Sequence, residues 1–301
     1  MPGLVRWSIP GTRLPIGEGV RRVAHQVQAD SISVLAGHIA FRLMFALFPT
    51  LISVLWLLRV INADGIVSRV SELVSAIVPG VAHAPLEQQI EGAPRPQASG
   101  DFTLGVGASF LVAVWAISEV FRAAMHALNV VYGVTERRSR VRRVVTSVGV
   151  SLVTMTLFVG ALLLIVSGAR VAATLTEWSG FGVSYEFVWW ASAWVVVVSS
   201  VLVAFALTYY YAPDVEQRIR WVRTGSLAGV VLWLAFAGLF AVYVNVLSRP
   251  GDTYGALAGV ALFMVYLYGS AFILLLGAEF NQVIENWEPD GKSSGERAPD
   301  A

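Results

Sequence analysis

A few ionisable side chains stand inside stretches that are otherwise apolar. Glu119, Arg122 and His126 are spaced i, i+3 and i+7, which on a helix is one face, and Trp115 and Asn129 extend it. His38 and Arg42 form a second pair at i and i+4. Glu279 and Asn281 close a long apolar run near the end of the chain. A charged side chain at the centre of a bilayer costs about 2.5–3.5 kcal/mol on insertion scales, so such groups are expected to turn inward and find partners. The spacing predicts a polar core that lines a path or binds a headgroup. In it Arg42 and Arg122 contact an anion, and Glu119 or Glu279 accepts a proton or a cation. The structural alternative is an ion-pair set that fixes packing, with Glu119 satisfied by Arg122 or Arg42.

Other chemistry is missing from the sequence. There are no cysteines, so neither a disulfide framework nor a thiolate nucleophile can form. The four histidines are scattered and show no metal-ligand spacing. No phosphate-binding loop and no GxSxG elbow is present. No cofactor is expected and no enzyme is predicted. The basic run from Glu136 to Arg143 resembles a nucleic-acid patch in isolation, but between two apolar spans it reads as a topology signal facing anionic lipid. No nucleic-acid partner is expected.

The elements that must position these residues follow from composition. Of 301 residues, 56% are hydrophobic and 14% charged, with a mean hydropathy of +0.67. A water-soluble domain carries about 25% charged residues, so an ordinary soluble enzyme is excluded. The net charge of +1 gives no overall field for a polyanion. Runs without any charge cover 144–169, 187–212, 224–248 and 253–278. Each exceeds the roughly 20 helical residues that cross a hydrocarbon core. Residues 31–58 and 102–131 are similar but carry the charges above. The fold class predicted is therefore all-α, a bundle of six transmembrane helices at about 33–58, 103–129, 144–169, 187–211, 224–247 and 254–281. Alternating polarity is lacking, which excludes a barrel.

Residues 1–30 form an N-terminal segment, 31–285 the membrane domain, and the polar residues 286–301 a disordered tail. The first apolar stretch is read as a retained helix, not a signal peptide. With six spans, fourteen basic residues fall on the side of the termini and five on the other. The positive-inside rule then puts both termini in the cytoplasm. Trp and Tyr near the predicted ends, including Tyr209, Tyr210 and Tyr211, suit a headgroup layer, and Pro213 stops the fourth helix. In the outer loop, 59–101, Ile66, Val70, Leu73, Val74 and Ile77 have the spacing of a short amphipathic helix. Gly225 with Gly229, and Gly255 with Gly259, have the spacing that lets helices pack closely.

Several stretches together resemble the YihY / virulence factor BrkB family. They are AFRLMFALFPTL at 40–51, ALNVVYGVTER at 127–137, YYYAP at 209–213, Arg223-Thr-Gly-Ser-Leu with Trp233, Tyr254-Gly255, and LGAEFN at 276–281. The second resembles the family's LN-x-x-Y-x-V-x-E-x-R segment after helix 2. The resemblance spans roughly 30–284 and implies a bacterial inner-membrane protein of six helices. Members have carried a ribonuclease label, which the residues here do not favour: no metal-ligand set or water-facing acid/base pair is recognisable. The function expected is transport or lipid handling through an intramembrane polar cavity, with membrane lipids as partners and a lipid or small anion as substrate. The alternative is a non-catalytic scaffold of an envelope complex.

The absence of cysteine allows a direct test of orientation. With a membrane-impermeant maleimide, Ala98→Cys is expected to label in sealed spheroplasts. Ser139→Cys should label only after lysis; labelling of Ser139→Cys in sealed spheroplasts would reverse the orientation.

Overall fold

A computed structural model describes residues 14–60, 100–179, 182–215, 219–244, 256–287 and 296. Among these residues the chain forms seven helices and no strands. They are α1 (Ile16–Ala29), α2 (Ile32–Val60), α3 (Gly100–Val131), α4 (Arg140–Ser179), α5 (Gly182–Tyr211), α6 (Ile219–Val242) and α7 (Ala256–Trp287). The last six are long and apolar enough to cross a membrane. The protein is thus an all-α polytopic membrane protein. The helices overrun the uncharged windows: α4 begins inside the basic loop at Arg140, and α7 continues to Trp287. The amphipathic segment expected at 66–77 and the tail from 288 to 295 lie outside the described residues.

Each span packs on the next in the chain, and α7 returns to pack on α2, so the six form a closed ring. The core gathers where α2 begins and where α3 and α7 end. It joins Ile32, Ala36 and Ile39 to Phe121, Ala124 and Leu128, and to Tyr209, Ala271, Leu275 and Ala278. Lipid offers little hydrophobic drive between helices, so van der Waals fit must hold them. Small residues provide it. Gly225 packs on Asn281, Gly229 lies against Phe205 and the Tyr209 hydroxyl, and Gly277 meets that same hydroxyl. A side chain at 225 or 277 would collide, and one at 229 would crowd Phe205 and Tyr209. Tyr209 is fully buried and donates from its hydroxyl to the Leu274 carbonyl at 2.7 Å. It is a core residue and not the headgroup anchor its position suggested.

α2 and α3 are antiparallel. Arg42 meets Glu119, while further along α2 Trp56 fills the notch left at Gly105 further back on α3. Pro49 lies inside α2 and removes one backbone donor; nearby, Thr50 donates from its hydroxyl to the Ala46 carbonyl at 2.6 Å.

α1 lies within the N-terminal segment 1–30. It buries Leu14 and Val23 against Val283 and Ile284 of α7, and Arg22 lies over the Trp287 ring at 4.5 Å. A sharp turn joins it to α2, with Ser31 at φ 52°. At the other end of the core, α3 closes in a Schellman motif. Gly133, at φ 64°, donates to Val130 at 2.9 Å and Val134 donates to Asn129 at 2.8 Å. These two left-handed positions predict opposite signs. Gly133→Ala should lower stability by about 1 kcal/mol, and Ser31→Gly should raise it by up to about 1 kcal/mol. Thermal unfolding of the purified protein in detergent measures both.

Candidate functional site

The polar residues of α2 and α3 meet at one seam. His38, Phe41, Arg42 and Phe45 form an i, i+3, i+4, i+7 stripe on α2. Leu111, Trp115, Glu119, Arg122 and His126 form the facing stripe on α3. Arg42 Nη1 donates to Glu119 Oε2, and Arg122 Nη2 donates to Glu119 Oε1. One carboxylate therefore holds two guanidiniums, one of them from another helix. Arg42 Nε also donates to His38 Nε2 at 2.9 Å, which requires that nitrogen to carry a lone pair. Arg122 Nη1 reaches Ser118 Oγ at 3.1 Å and Ser147 Oγ of α4 at 3.4 Å. Those hydroxyls donate onward to the Trp115 and Val144 carbonyls at 2.7 and 2.9 Å.

His38, Arg42, Glu119, Arg122 and His126 line a cavity of about 350 Å³ with Ala123, Met125, Asn129, Glu136 and Arg143. It opens between α2, α3 and α4. The charges do cluster, but not on the bundle axis. Arg42, Glu119 and Arg122 side chains keep 35%, 29% and 19% of their surface exposed, and His38 and His126 are exposed.

Of the residues singled out by sequence, His38, Arg42, Glu119, Arg122 and His126 come together here. Glu279 and Asn281 do not line the cavity. Glu279 is fully buried in α7, where it meets the Asp30 carboxyl. Asn281 packs on Gly225 of α6. The expectation that Arg42, Glu119, Arg122 and Glu279 line one path is corrected accordingly: α7 turns Glu279 toward the junction of α1 and α2.

Arg143 was missed, because as the last of five arginines in a loop it reads as a topology charge. The helix starts at Arg140, so Arg143 stands one turn inside it and faces the cavity. Its Nε is buried with no hydrogen-bond partner among the described residues. Ser118 and Ser147, small polar residues in apolar runs, gave no signal above background.

The floor of the cavity is a second polar cluster. Arg138 binds Glu136 through Nε at 2.8 Å and Nη2 at 2.7 Å, and caps the end of α5 at the Tyr211 and Ala212 carbonyls at 2.9 and 2.7 Å. Asn129, buried, donates to Glu136 at 3.1 Å and accepts from the Asp214 backbone at 2.7 Å. The family-like LN-x-x-Y-x-V-x-E-x-R stretch thus clasps the α3–α4 loop onto the exit of α5. Burial alone would raise the Glu136 carboxyl, but its bonds to Arg138 and Asn129 outweigh that and hold it below the usual carboxylate range.

A depressed folded-state value means stability that is present above the ordinary carboxylate range and is lost as acid protonates the folded state. Glu136→Gln is expected to cost about 2 kcal/mol at neutral pH, in the range for hydrogen bonds to charged groups. The gap to wild type should close in acid. Unfolding curves at several pH values give the check.

Comparison with known proteins follows this geometry. The family model described as virulence factor BrkB matches residues 23–301. YfkH, a ribonuclease-like protein of Bacillus subtilis strain 168, is 25% identical over 266 residues, covering 88% of this chain and 92% of its own. A UPF0761 membrane protein of Photobacterium profundum is 26% identical over 289 residues, 92% of this chain and 82% of its own. Another, from Idiomarina loihiensis, is 29% identical over 198 residues, 63% and 64% of the two chains. No solved structure matches. With six candidate spans and a family match over nearly its whole length, the chain is a multi-pass membrane protein of the virulence factor BrkB family.

Proposed function

We propose that the protein is a bacterial inner-membrane transporter or lipid-handling protein that takes an anionic group into the cavity between α2, α3 and α4. The observation that carries this reading is the charge of the lining. Three guanidiniums, of Arg42, Arg122 and Arg143, face the cavity. Glu119 is shared by two of them, and Glu136 has both oxygens engaged by Arg138 and Asn129. Cations held at low dielectric without a matching carboxylate favour an anion strongly. Arginine is also the side chain that fits phosphate and carboxylate with paired N–H donors. The positive-inside rule applied to the basic loops supports an orientation with both termini in the cytoplasm.

The reading is one of binding and movement, not of covalent chemistry. Glu119 has both oxygens bound to arginine, which leaves it unsuited as a general base. The relative named ribonuclease-like is 25% identical. Among the described residues no group of three or more His, Cys, Asp or Glu is placed to hold a metal.

A scaffold role is the second reading, and the Arg42–Glu119–Arg122 set favours it because a satisfied ion triad locks α2 onto α3. The two readings separate in one experiment. Under the anion reading, inorganic phosphate or glycerol phosphate raises the thermal stability of the purified protein, and Arg143→Gln abolishes the rise while leaving the unliganded melting point within a few degrees. Under the scaffold reading no anion shifts the curve. Glu119→Gln leaves two guanidiniums unpaired and should cost about 2 kcal/mol, a breaking penalty discounted for partial exposure. Arg42→Gln added to it should recover part of that loss.

A further inference from the structure

The cavity has an ordered apolar approach on its lipid side. α3 leads toward the α3–α4 loop, and along its exposed face Leu111 and Trp115 come first, then Glu119, Arg122 and His126. α2 runs the opposite way, so Arg42 lies nearer the loop side and Phe45 deeper. Phe45 and Trp115 are 63% and 61% exposed, and Phe41 packs on Phe45 with ring centroids 4.8 Å apart. All three sit within the spans, where exposed apolar surface faces acyl chains. From the loop side inward, the seam therefore reads Arg143, then the Arg122–Glu119–Arg42 set with Phe41 beside it, then Phe45 and Trp115. A phospholipid in the adjoining leaflet presents phosphate, then glycerol, then hydrocarbon in that order.

We infer that the anion is the phosphate of a membrane phospholipid, which enters sideways between α2 and α3 from the leaflet on the side of the basic loop. Its phosphate lies among Arg42, Arg122 and Arg143, and its chain lies along Phe45 and Trp115. This rests on the anion-binding reading above and adds the source of the anion. The buried, unpartnered Arg143 Nε gives the phosphate a donor that no protein group uses among the described residues. The aromatic pair gives the chain an edge that a soluble anion would not need.

The test uses the full chain in nanodiscs with two photoreactive probes. One is phosphatidylglycerol with a diazirine in its acyl chain; the other is diacylglycerol with the same chain and no phosphate. The expected result is adducts at residues 41–45 and 111–115, at least five-fold more from the phospholipid. In Arg143→Gln that preference should fall to near unity. Equal labelling by both probes in wild type overturns the inference, because the seam then holds only annular lipid. If inorganic phosphate stabilises the protein but phospholipid adducts are absent from this seam, the cavity fills from water: the lipid source is wrong and the anion reading stands. If neither phosphate nor phospholipid registers, both fall.

Discussion

The structure depends on one carboxylate shared between two guanidiniums inside a membrane span. Glu119 takes Arg42 from α2 and Arg122 from its own helix. An unpaired arginine is costly inside a span, and removing the acid would leave two partly buried cations facing each other. The pair also fixes rotation. Arg42 reaches Glu119 only when the His38–Phe45 stripe of α2 faces the Trp115–His126 stripe of α3. That same rotation turns the alanines of α3, among them Ala116, Ala123 and Ala127, into the ring. Ion pairing and close packing therefore select one arrangement, and a single displaced helix would lose both.

Much of this fold is legible in the sequence, for a simple reason. A chain that must satisfy its backbone in lipid has helix as its only option along uncharged runs, so spans 144–169 or 187–212 leave little to decide. The charged spans are legible too, because i, i+3 and i+7 spacing survives translation into a face whatever the tertiary contacts are. What spacing cannot convey is which faces meet. Glu279 carries the same surface signs as Glu119, an acid beside an apolar run, yet it turns toward Asp30 and away from the cavity. Arg143 shows the converse. Its neighbours hide it, and only the start of α4 at Arg140 decides that one arginine of the run enters the site. α1 was illegible because its apolar positions are few, and they acquire meaning only against Val283 and Ile284 of α7.

The family-like motifs divide in the same way between architecture and site. The LN-x-x-Y-x-V-x-E-x-R stretch builds the clasp under the cavity, where Asn129 and Arg138 tie a loop to the exit of α5. The LGAEFN stretch lays Gly277 and Asn281 against Tyr209 and Gly225, which sets how closely α5, α6 and α7 approach. Both hold the walls of the site at fixed separation. The arginines that face the cavity lie in and around this frame, on α2, α3 and the first turn of α4.

The seam between α2 and α3 differs at its two ends. Toward the loop it holds the charged cavity; far from it, the Trp56 ring fills the notch at Gly105, where even a methyl group would collide. The indole sets how closely α2 and α3 approach at that end, while the other end stays hollow. A larger residue at 105 would press on the Trp56 ring and force the two helices apart there.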